Sequence, residues 1–256
     1  MPNVDYGSDD VAHRYAHTRG LPDAVLAGWG AAVNTFVPPR PEGDRVLDVG
    51  AGTGIFARAW PTWRPCQVVA LEPSSAMRTQ LVGAGLPDGV HVIVGRGEQV
   101  PIRALGITIA WLSAVVHHLD SLQATAAELR RVVVDDGVVL IRGLFAESPA
   151  PPGVQFIPGW ERVVASYPSV TGIERALQHA GFAPIGRVEV PDHGPATTGE
   201  AANWVRHMRD ADSMLGRFTD DEFEAGLQAL ESRDPNEPVT SSTLTLLAFA
   251  GSVDPR

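Results

Sequence analysis

The sequence of 256 residues contains no lysine, because all 20 of its basic residues are arginines. This absence excludes a Schiff-base lysine, a lysine general base and the phosphate-binding lysine of a P-loop. The chain carries 30 acidic residues, so its net charge is -10. Phosphate backbones and anionic membrane surfaces repel such a chain. We therefore expect a small-molecule substrate, and neither a nucleic acid nor a membrane as partner.

Cysteine is almost absent as well. The single Cys66 excludes an internal disulfide and a cysteine-rich zinc site, which fits a reducing compartment. Residues 1–10 carry acids where a signal peptide would have basic and apolar stretches. No run of about 18 apolar residues is present to span a membrane. These features predict a cytoplasmic protein.

Short β-branched runs alternate with helical stretches along most of the chain. The runs are apolar almost throughout, which is typical of parallel strands that are buried on both faces. The alternation predicts a doubly wound, Rossmann-like α/β fold with a mostly parallel seven-stranded sheet in three α/β/α layers. Strands are predicted at residues 45–50, 67–71, 91–94, 107–112, 137–142, 186–190 and 243–250.

We expect one domain over residues 1–256. Residues 1–40 are predicted to form a helical cap, and residues 41–145 the cofactor-binding core. Residues 146–256 are predicted to hold insertions on the substrate side and the last strands. Within them, residues 199–231 are predicted to form one long polar helical stretch.

The strongest chemical signal is the segment VLDVGAGTG, residues 46–54, in which a buried strand runs into a glycine-rich turn. Glycines allow positive φ angles and let a ligand approach the backbone. The third glycine, Gly54, comes one residue too early for the dinucleotide pattern G-x-G-x-x-G. Asp48 would also repel a pyrophosphate, whereas it would attract an amine or a sulfonium. A nicotinamide dehydrogenase is therefore a weak alternative.

This motif and its preceding acid resemble the first motif of the class I S-adenosylmethionine-dependent methyltransferases. Glu72 closes the second strand, where the family's acid binds both ribose hydroxyls, and Met77 would cover the adenine. Gly97 and Glu98 lie in a segment similar to the next family signature. There Arg96 replaces the usual acid, so the adenine contact would have to come from elsewhere, with Glu98 as the candidate.

The resemblance also implies roles for the N-terminal segment and the fourth strand. Tyr15 and Arg19 lie in a segment similar to one that binds the cofactor carboxylate in small-molecule members of the family. The full set of residues assigned to S-adenosylmethionine is Tyr15, Arg19, Asp48, Gly50, Ala51, Gly52, Glu72, Pro73, Met77, Gly97, Glu98, Leu112 and Ser113.

Two adjacent histidines follow the fourth strand, in a segment similar to the family's Leu-His-His sequence beside the methyl group. His117 and His118 are the candidate catalytic residues, because a hydroxyl or protonated amine acceptor needs a base of near-neutral pKa. Neighbouring residues point about 100° apart in a helix, so only one of the two can face the methyl group.

Further aromatic and histidine residues are assigned to the substrate. His13 and His17 have the i, i+4 spacing of a metal pair, but Arg14 stands where a metalloprotease helix needs glutamate, so we expect no metal and place both at the mouth of the site. The apolar pocket itself is assigned to Trp160, Tyr167, Trp204 and His207.

The sequence thus predicts a methyltransferase acting on a small, largely apolar metabolite, with oxygen or carbon favoured over nitrogen as acceptor. Its arginine-only basicity and its alanine, glycine and proline richness suggest a high-GC bacterial source. The family resemblance implies specialised metabolism, because many such bacterial enzymes modify specialised metabolites. The same fold and cofactor could instead serve a cyclisation or decarboxylation, or the protein could bind the cofactor only as a sensor.

Overall fold

The computed structural model describes residues 8–18 and 20–251. Its centre is a seven-stranded sheet in the order β3-β2-β1-β4-β5-β7-β6. The strands are β1 (Asp44–Val49), β2 (Cys66–Leu71), β3 (Val90–Ile93), β4 (Ile107–Ser113), β5 (Val133–Gly143), β6 (Phe182–Pro191) and β7 (Thr243–Gly251). Strand β7 runs antiparallel to its neighbours β5 and β6, and the remaining pairs are parallel. The predicted doubly wound, mostly parallel sheet is confirmed.

Nine α-helices accompany this sheet in the described part of the chain. They are α1 (Asp9–Thr18), α2 (Asp23–Phe36), α3 (Ile55–Trp63), α4 (Ser75–Gly83), α5 (Leu122–Val132), α6 (Trp160–Ala165), α7 (Val170–His179), α8 (Thr198–Met208) and α9 (Asp220–Glu231). Helices α5 and α7 pack on one face of the sheet, and α2 and α3 pack on the other. These helices and the sheet form the three predicted layers.

A third apolar cluster lies beside the sheet and is made by α6, α8, α9 and the segments next to them. We call this unit, residues 150–167 and 198–230, the cap. It is distinct from the helical cap predicted over residues 1–40, a range that contains α1 and α2. Its buried side chains include Val163, Val205 and Leu227. Because the cap has its own apolar interior, it can cover the strand ends without being part of the sheet's two cores.

The structure corrects the prediction of one helical stretch over residues 199–231. Helix α8 ends at Met208, and α9 begins only at Asp220. Between them, the Asp212 carboxylate accepts hydrogen bonds from the backbone N–H groups of Met214 and Leu215. Thr219 and Glu222 then form a capping box that starts α9. Local side-chain to backbone hydrogen bonds therefore divide a stretch that has helical periodicity throughout.

No helix in the two described ranges is both long enough and apolar enough to cross a membrane.

Candidate active site

A pocket of about 910 Å³ opens at the carboxyl ends of the central strands. Its floor is made by the segments that follow β1, β2, β4 and β5, and its far wall by the cap. Strands β1 and β4 are neighbours although β2 and β3 lie between them in sequence, so the chain order reverses at this point. Ligands of open α/β sheets bind at such a switch point. The volume is at the upper end of the usual range for small-molecule pockets.

The glycine turn after β1 forms one edge of the pocket, and its three glycines all have positive φ angles, 67° at Gly50, 56° at Gly52 and 81° at Gly54. A Cβ added at Gly50 would lie 2.4 Å from Val115 Cγ2, and one at Gly54 would lie 2.6 Å from Leu81 Cγ. A Cβ at Gly52 would meet nothing within 4 Å. Packing therefore requires the first and third glycines, whereas the second leaves its backbone open to a ligand.

We expect Gly50→Ala to destabilise the protein by about 1–3 kcal/mol, because alanine is strained at this φ and its Cβ would collide with Val115. Urea denaturation measures the change. Gly83→Ala is the matched control, since Gly83 lies in α4 with open space around the new Cβ and no positive φ. Equal stability of the two variants would contradict this account of the turn.

Glu72 joins the glycine turn to the loop after β2. Its Oε2 accepts a hydrogen bond from the Gly52 N–H at 2.8 Å, and its Oε1 accepts one from the Ser74 N–H at 2.8 Å. Burial raises the pKa of this carboxyl, while these two N–H groups and Arg78 act in the opposite direction. Each carboxylate oxygen can accept more than one hydrogen bond. The pair of oxygens is thus held at the pocket edge with capacity for a vicinal diol.

Asp48 lies beneath the same edge and is almost completely buried. Burial, followed by the nearby charge of Glu72, raises the pKa of Asp48 to about 8. Its Oδ2 has no hydrogen-bond partner among the described groups, although the residue lines the pocket. A buried carboxylate oxygen without a donor is costly unless a ligand supplies one. This end of the pocket therefore fits a ligand with an amine or sulfonium charge, as S-adenosylmethionine has.

Other residues assigned to the cofactor take several positions. The pocket wall includes Tyr15, Ala51, Pro73, Met77, Gly97, Glu98 and Ser113. Met77 is buried against Ala12 of α1. Leu112, by contrast, has its side chain wholly buried in the core and is not among the residues that line the pocket, so its contact with the cofactor stays a prediction. Arg19 lies outside the described residues.

The proposed adenine contact, Glu98, is already engaged by the neighbouring loop. Its Oε1 accepts hydrogen bonds from the backbone N–H groups of Asp120, at 2.9 Å, and Ser121, at 3.3 Å. Arg96, which replaces the family's acid, forms an exposed ion pair with Asp120. Glu98 therefore fixes the loop before α5, and its contact with adenine stays a prediction.

The two histidines follow β4 in a single 3-10 turn, Val116–His118, and their ring centroids lie 4.0 Å apart. His117 Nε2 lies 3.1 Å from Ser213 Oγ of the cap, and the His117 ring lies 4.6 Å from that of Tyr167. The turn thus brings the end of β4 against the cap, with His117 at the contact.

The surroundings of the histidines separate their roles. The His118 side chain lines the pocket and is partly open to solvent. Desolvation by the surrounding protein atoms and, secondly, the positive charge of Arg217 lower the pKa of His118 to about 4, whereas Asp212 acts in the opposite direction. His118 is accordingly neutral at pH 7 and a weak base. His117 is the stronger candidate for the base.

The structure separates the residues that were assigned to the substrate. Tyr167 and Trp204 line the pocket. Trp160 packs into the interior of the cap and not against the pocket, because its short helix faces that cluster. His207 lies exposed on α8, its Nδ1 is hydrogen-bonded to the Asn203 carbonyl oxygen, and it is not among the residues that line the pocket, so the structure gives its assignment no support.

The sequence assigned His13 and His17, two histidines of α1, to the mouth of the pocket. His13 is exposed on this helix and is not among the residues that line the pocket, so its place at the mouth stays a prediction. The side chain of His17 is outside what the structure describes. Among the side chains of α1 that the structure describes, Tyr15 lines the pocket.

Sequence reasoning missed several polar residues of the pocket, among them Arg142, Asp192 and Ser213. One signal was available for the first, since an arginine interrupts the otherwise apolar end of β5, VVLIRG. The other two lie in loops whose partners are distant in sequence, and no local pattern marks them.

The fold and the pocket together define a nucleotide-cofactor α/β enzyme domain with its site at the β1/β4 switch point. Comparison with known proteins narrows the class of enzyme. Residues 47–141 match the family model described as a methyltransferase domain. Residues 47–141 therefore carry a methyltransferase domain, and the fold and motifs around it support a class I S-adenosylmethionine-dependent methyltransferase.

Individual relatives agree with this assignment. A malonyl-[acyl-carrier protein] O-methyltransferase of Serratia marcescens is 37% identical over 106 residues, which cover 41% of this chain and 40% of that protein. The biotin biosynthesis bifunctional protein BioHC of Cellvibrio japonicus is 27% identical over 186 residues, 70% of this chain and 35% of that protein. The matched stretches thus span 40% or less of these two curated relatives.

The fold also resembles solved structures. The YcgJ protein from Bacillus subtilis superposes with a TM-score of 0.58 at 17% identity, covering 89% of this chain and 99% of that chain. Identity at this level supports the shared fold and does not extend to substrate.

Proposed function

We propose that the protein transfers the methyl group of S-adenosylmethionine to an oxygen or carbon atom of a small, largely apolar metabolite in bacterial specialised metabolism. One observation carries this proposal, namely that a single cavity is lined by Asp48 and Glu72, which lie at the ends of β1 and β2, and by His117, which follows β4. The name of the Serratia marcescens relative, an O-methyltransferase, supports an oxygen acceptor.

The acidic end of the pocket suits the cofactor. When bound, S-adenosylmethionine supplies a methyl group made electrophilic by its sulfonium. Asp48 would face the positive charge, and Glu72 would accept hydrogen bonds from the ribose hydroxyls. The open backbone at Gly52 allows close approach of the ligand. These residues bind and orient, which is the main requirement of an in-line displacement.

The apolar part of the pocket lining suits the acceptor. It includes Leu21, Phe56, Val115, Leu144, Pro152, Trp204, Met214 and Leu244. His117 lines the same pocket, where its ring would remove the proton of an acceptor hydroxyl. The apolar wall excludes water from the reacting atoms. A cavity of about 910 Å³ gives room for a cofactor and a small acceptor together.

We expect S-adenosylhomocysteine to bind with micromolar affinity in a calorimetric titration, and Glu72→Ala to weaken binding by about 1–3 kcal/mol, the scale of lost hydrogen bonds to a charged group. Glu161→Ala is the matched control, because Glu161 is an exposed residue of α6 outside the pocket. Unchanged affinity in Glu72→Ala would remove Glu72 from the ribose. Binding of NAD in place of S-adenosylhomocysteine would overturn the proposed function.

The reaction itself is tested by incubating candidate metabolites with S-adenosylmethionine. Methyl transfer predicts a product whose mass has increased by one CH2 group and an equal amount of S-adenosylhomocysteine. A product of unchanged mass would indicate cyclisation, and loss of CO2 would indicate decarboxylation. Either result without S-adenosylhomocysteine would contradict methyl transfer.

A further inference from the structure

Arg142 places a permanent positive charge in the inner wall of the pocket. It is the last residue but one of β5, it lines the pocket, and its side chain is only 7% exposed. Arginine does not lose its proton in proteins, so burial cannot neutralise it. The residue is in register with Ser113 at the end of β4, the strand that leads into His117. The charge therefore lies on the strand next to the candidate base.

Four separate segments hold this guanidinium group. Its Nη2 donates to Asp192 Oδ1 at 2.9 Å, and its Nη1 donates to Ser113 Oγ at 3.1 Å. Its central carbon lies 4.5 Å from the ring centroid of Trp29 and 5.0 Å from that of Phe56. Ion pairs at such depth seldom stabilise a fold more than apolar residues would. A fixed, desolvated guanidinium is instead what recognition of a carboxylate requires.

Three other charged residues of the pocket, Glu200, Asp212 and Arg96, have identifiable structural contacts. On the cap side, Glu200 accepts a hydrogen bond from the Ala196 N–H, and Asp212 caps the 3-10 turn of Leu215. Arg96 lies on the rim, where its side chain is 65% exposed and pairs with Asp120. Among the described residues that line the pocket, Arg142 is thus the buried arginine.

We propose that Arg142 recognises a carboxylate of the acceptor substrate, and that Asp192 is the internal carboxylate that neutralises it before the acceptor binds. The planar guanidinium fork matches carboxylate geometry. The hydrogen bond of 2.9 Å that Arg142 Nη2 donates to Asp192 Oδ1 demonstrates that this group binds a carboxylate oxygen. The inference rests on the proposed function and narrows its substrate class to apolar molecules that carry a carboxylate.

The test compares acids with their amides on protein saturated with S-adenosylhomocysteine. Benzoate and octanoate are each paired with the corresponding primary amide, and affinity is measured by calorimetry. Wild type is expected to bind each acid about tenfold more tightly than its amide. Arg142→Gln is expected to bind acids and amides with equal affinity. Arg142→Lys is expected to keep part of the preference for acids, because lysine retains the positive charge but lacks the planar guanidinium fork.

Asp192→Asn provides a gain-of-affinity test. This variant removes the internal carboxylate and keeps the guanidinium. We expect it to raise the ratio of acid affinity to amide affinity by about tenfold. The matched control is Arg162→Gln, which breaks the exposed ion pair with Glu222 in the cap and is expected to behave as wild type. If Arg142→Gln does not fold, Asp192→Asn decides the question.

Three results would overturn the inference. The first is a wild-type protein that binds neither acid, or that binds acids and amides with equal affinity. The second is an Arg142→Gln variant that still prefers acids to amides. The third is an Asp192→Asn variant whose ratio of acid affinity to amide affinity equals that of wild type. Binding of S-adenosylhomocysteine is measured first on every variant. Failure of that step in wild type counts against the proposed function, whereas a missing carboxylate preference in saturated wild type counts against the role of Arg142 alone.

Discussion

Replacing His117 by alanine is expected to slow methyl transfer by about 100-fold, the usual contribution of a positioned general base. His118→Ala is expected to have a smaller effect, because the lowered pKa of His118, about 4, makes its imidazole a weak base. Neither substitution should change the affinity for S-adenosylhomocysteine much, since neither histidine is among the residues assigned to the cofactor. Turnover is measured with the acceptor found by the mass assay, under cofactor saturation.

The control for these variants is His179→Ala. His179 lies exposed at the end of α7, where its Nδ1 contacts the Arg175 carbonyl oxygen, and it is not part of the pocket. It should keep wild-type turnover. If His117→Ala also kept it, catalysis would depend on positioning alone. A larger loss in His118→Ala than in His117→Ala would reverse the assignment of the base.

The pH profile adds a second criterion. The groups around His117 are His118, Tyr167 and, from the cap, Ser213, with Arg217 stacked on the Tyr167 ring. If His117 is the base, turnover should fall at acidic pH as its imidazole becomes protonated. His117→Ala should lose that acidic limb, whereas a merely structural role would lower the rate equally at every pH.

The sheet could be predicted from the sequence because local patterns encode it. Each central strand is an apolar run bounded by turn residues, and β1 passes directly into the glycine turn. The predicted ends of the strands were less accurate. Strand β5 begins at Val133, directly after α5, and not at residue 137, because pairing of Val133 with Ile107 extends the strand.

The cap could not be predicted in the same way. Its form depends on contacts between segments far apart in the chain, such as the ion pair of Arg162 with Glu222 and the packing of Val163 near Leu227. Helical periodicity alone did not reveal the interruption between α8 and α9. His207 was assigned to the substrate for the same reason, since the face of a helix that meets a pocket is decided by packing.

The pocket shows the same division between local and distant information. Glu72 and the glycine turn lie in the pocket as the family motif implies. Arg142 pairs with Asp192, which lies 50 positions further along the chain. Only the sheet order, in which β7 alone separates β5 from β6, brings these residues together. The residues that select an acceptor therefore depend on topology more than on motif.

Asp48→Asn is expected to stabilise the ligand-free protein at pH 8 and to weaken binding of the cationic cofactor. The pKa of Asp48 is raised from 3.8 to about 8, mainly by burial and secondly by the charge of Glu72. The folded protein therefore binds a proton that the unfolded chain releases near pH 4. Stability from this group is fully present below the unfolded pKa and is lost as pH rises through the folded value.

The loss amounts to as much as about 1.4 kcal/mol for each pH unit between these two values. Asparagine has no proton to lose, so the stability of Asp48→Asn should depend less on pH over this range, although Glu72, whose pKa is also raised, keeps part of the slope. Urea denaturation from pH 5 to about pH 8 measures both curves. Asp221→Asn, an exposed position in the first turn of α9, should retain the wild-type slope.

Cofactor binding should show the opposite dependence on pH. A cationic ligand favours the ionised form of Asp48, so binding at pH 7 should release a proton and tighten as pH rises towards 8. Calorimetry in two buffers of different ionisation enthalpy detects that proton, and Asp48→Asn should release less of it. Equal proton release in both proteins would mean that Asp48 does not face the positive charge. In that case the unpartnered Oδ2 would need another donor, and the acidic end of the pocket would have to be assigned to a different ligand group.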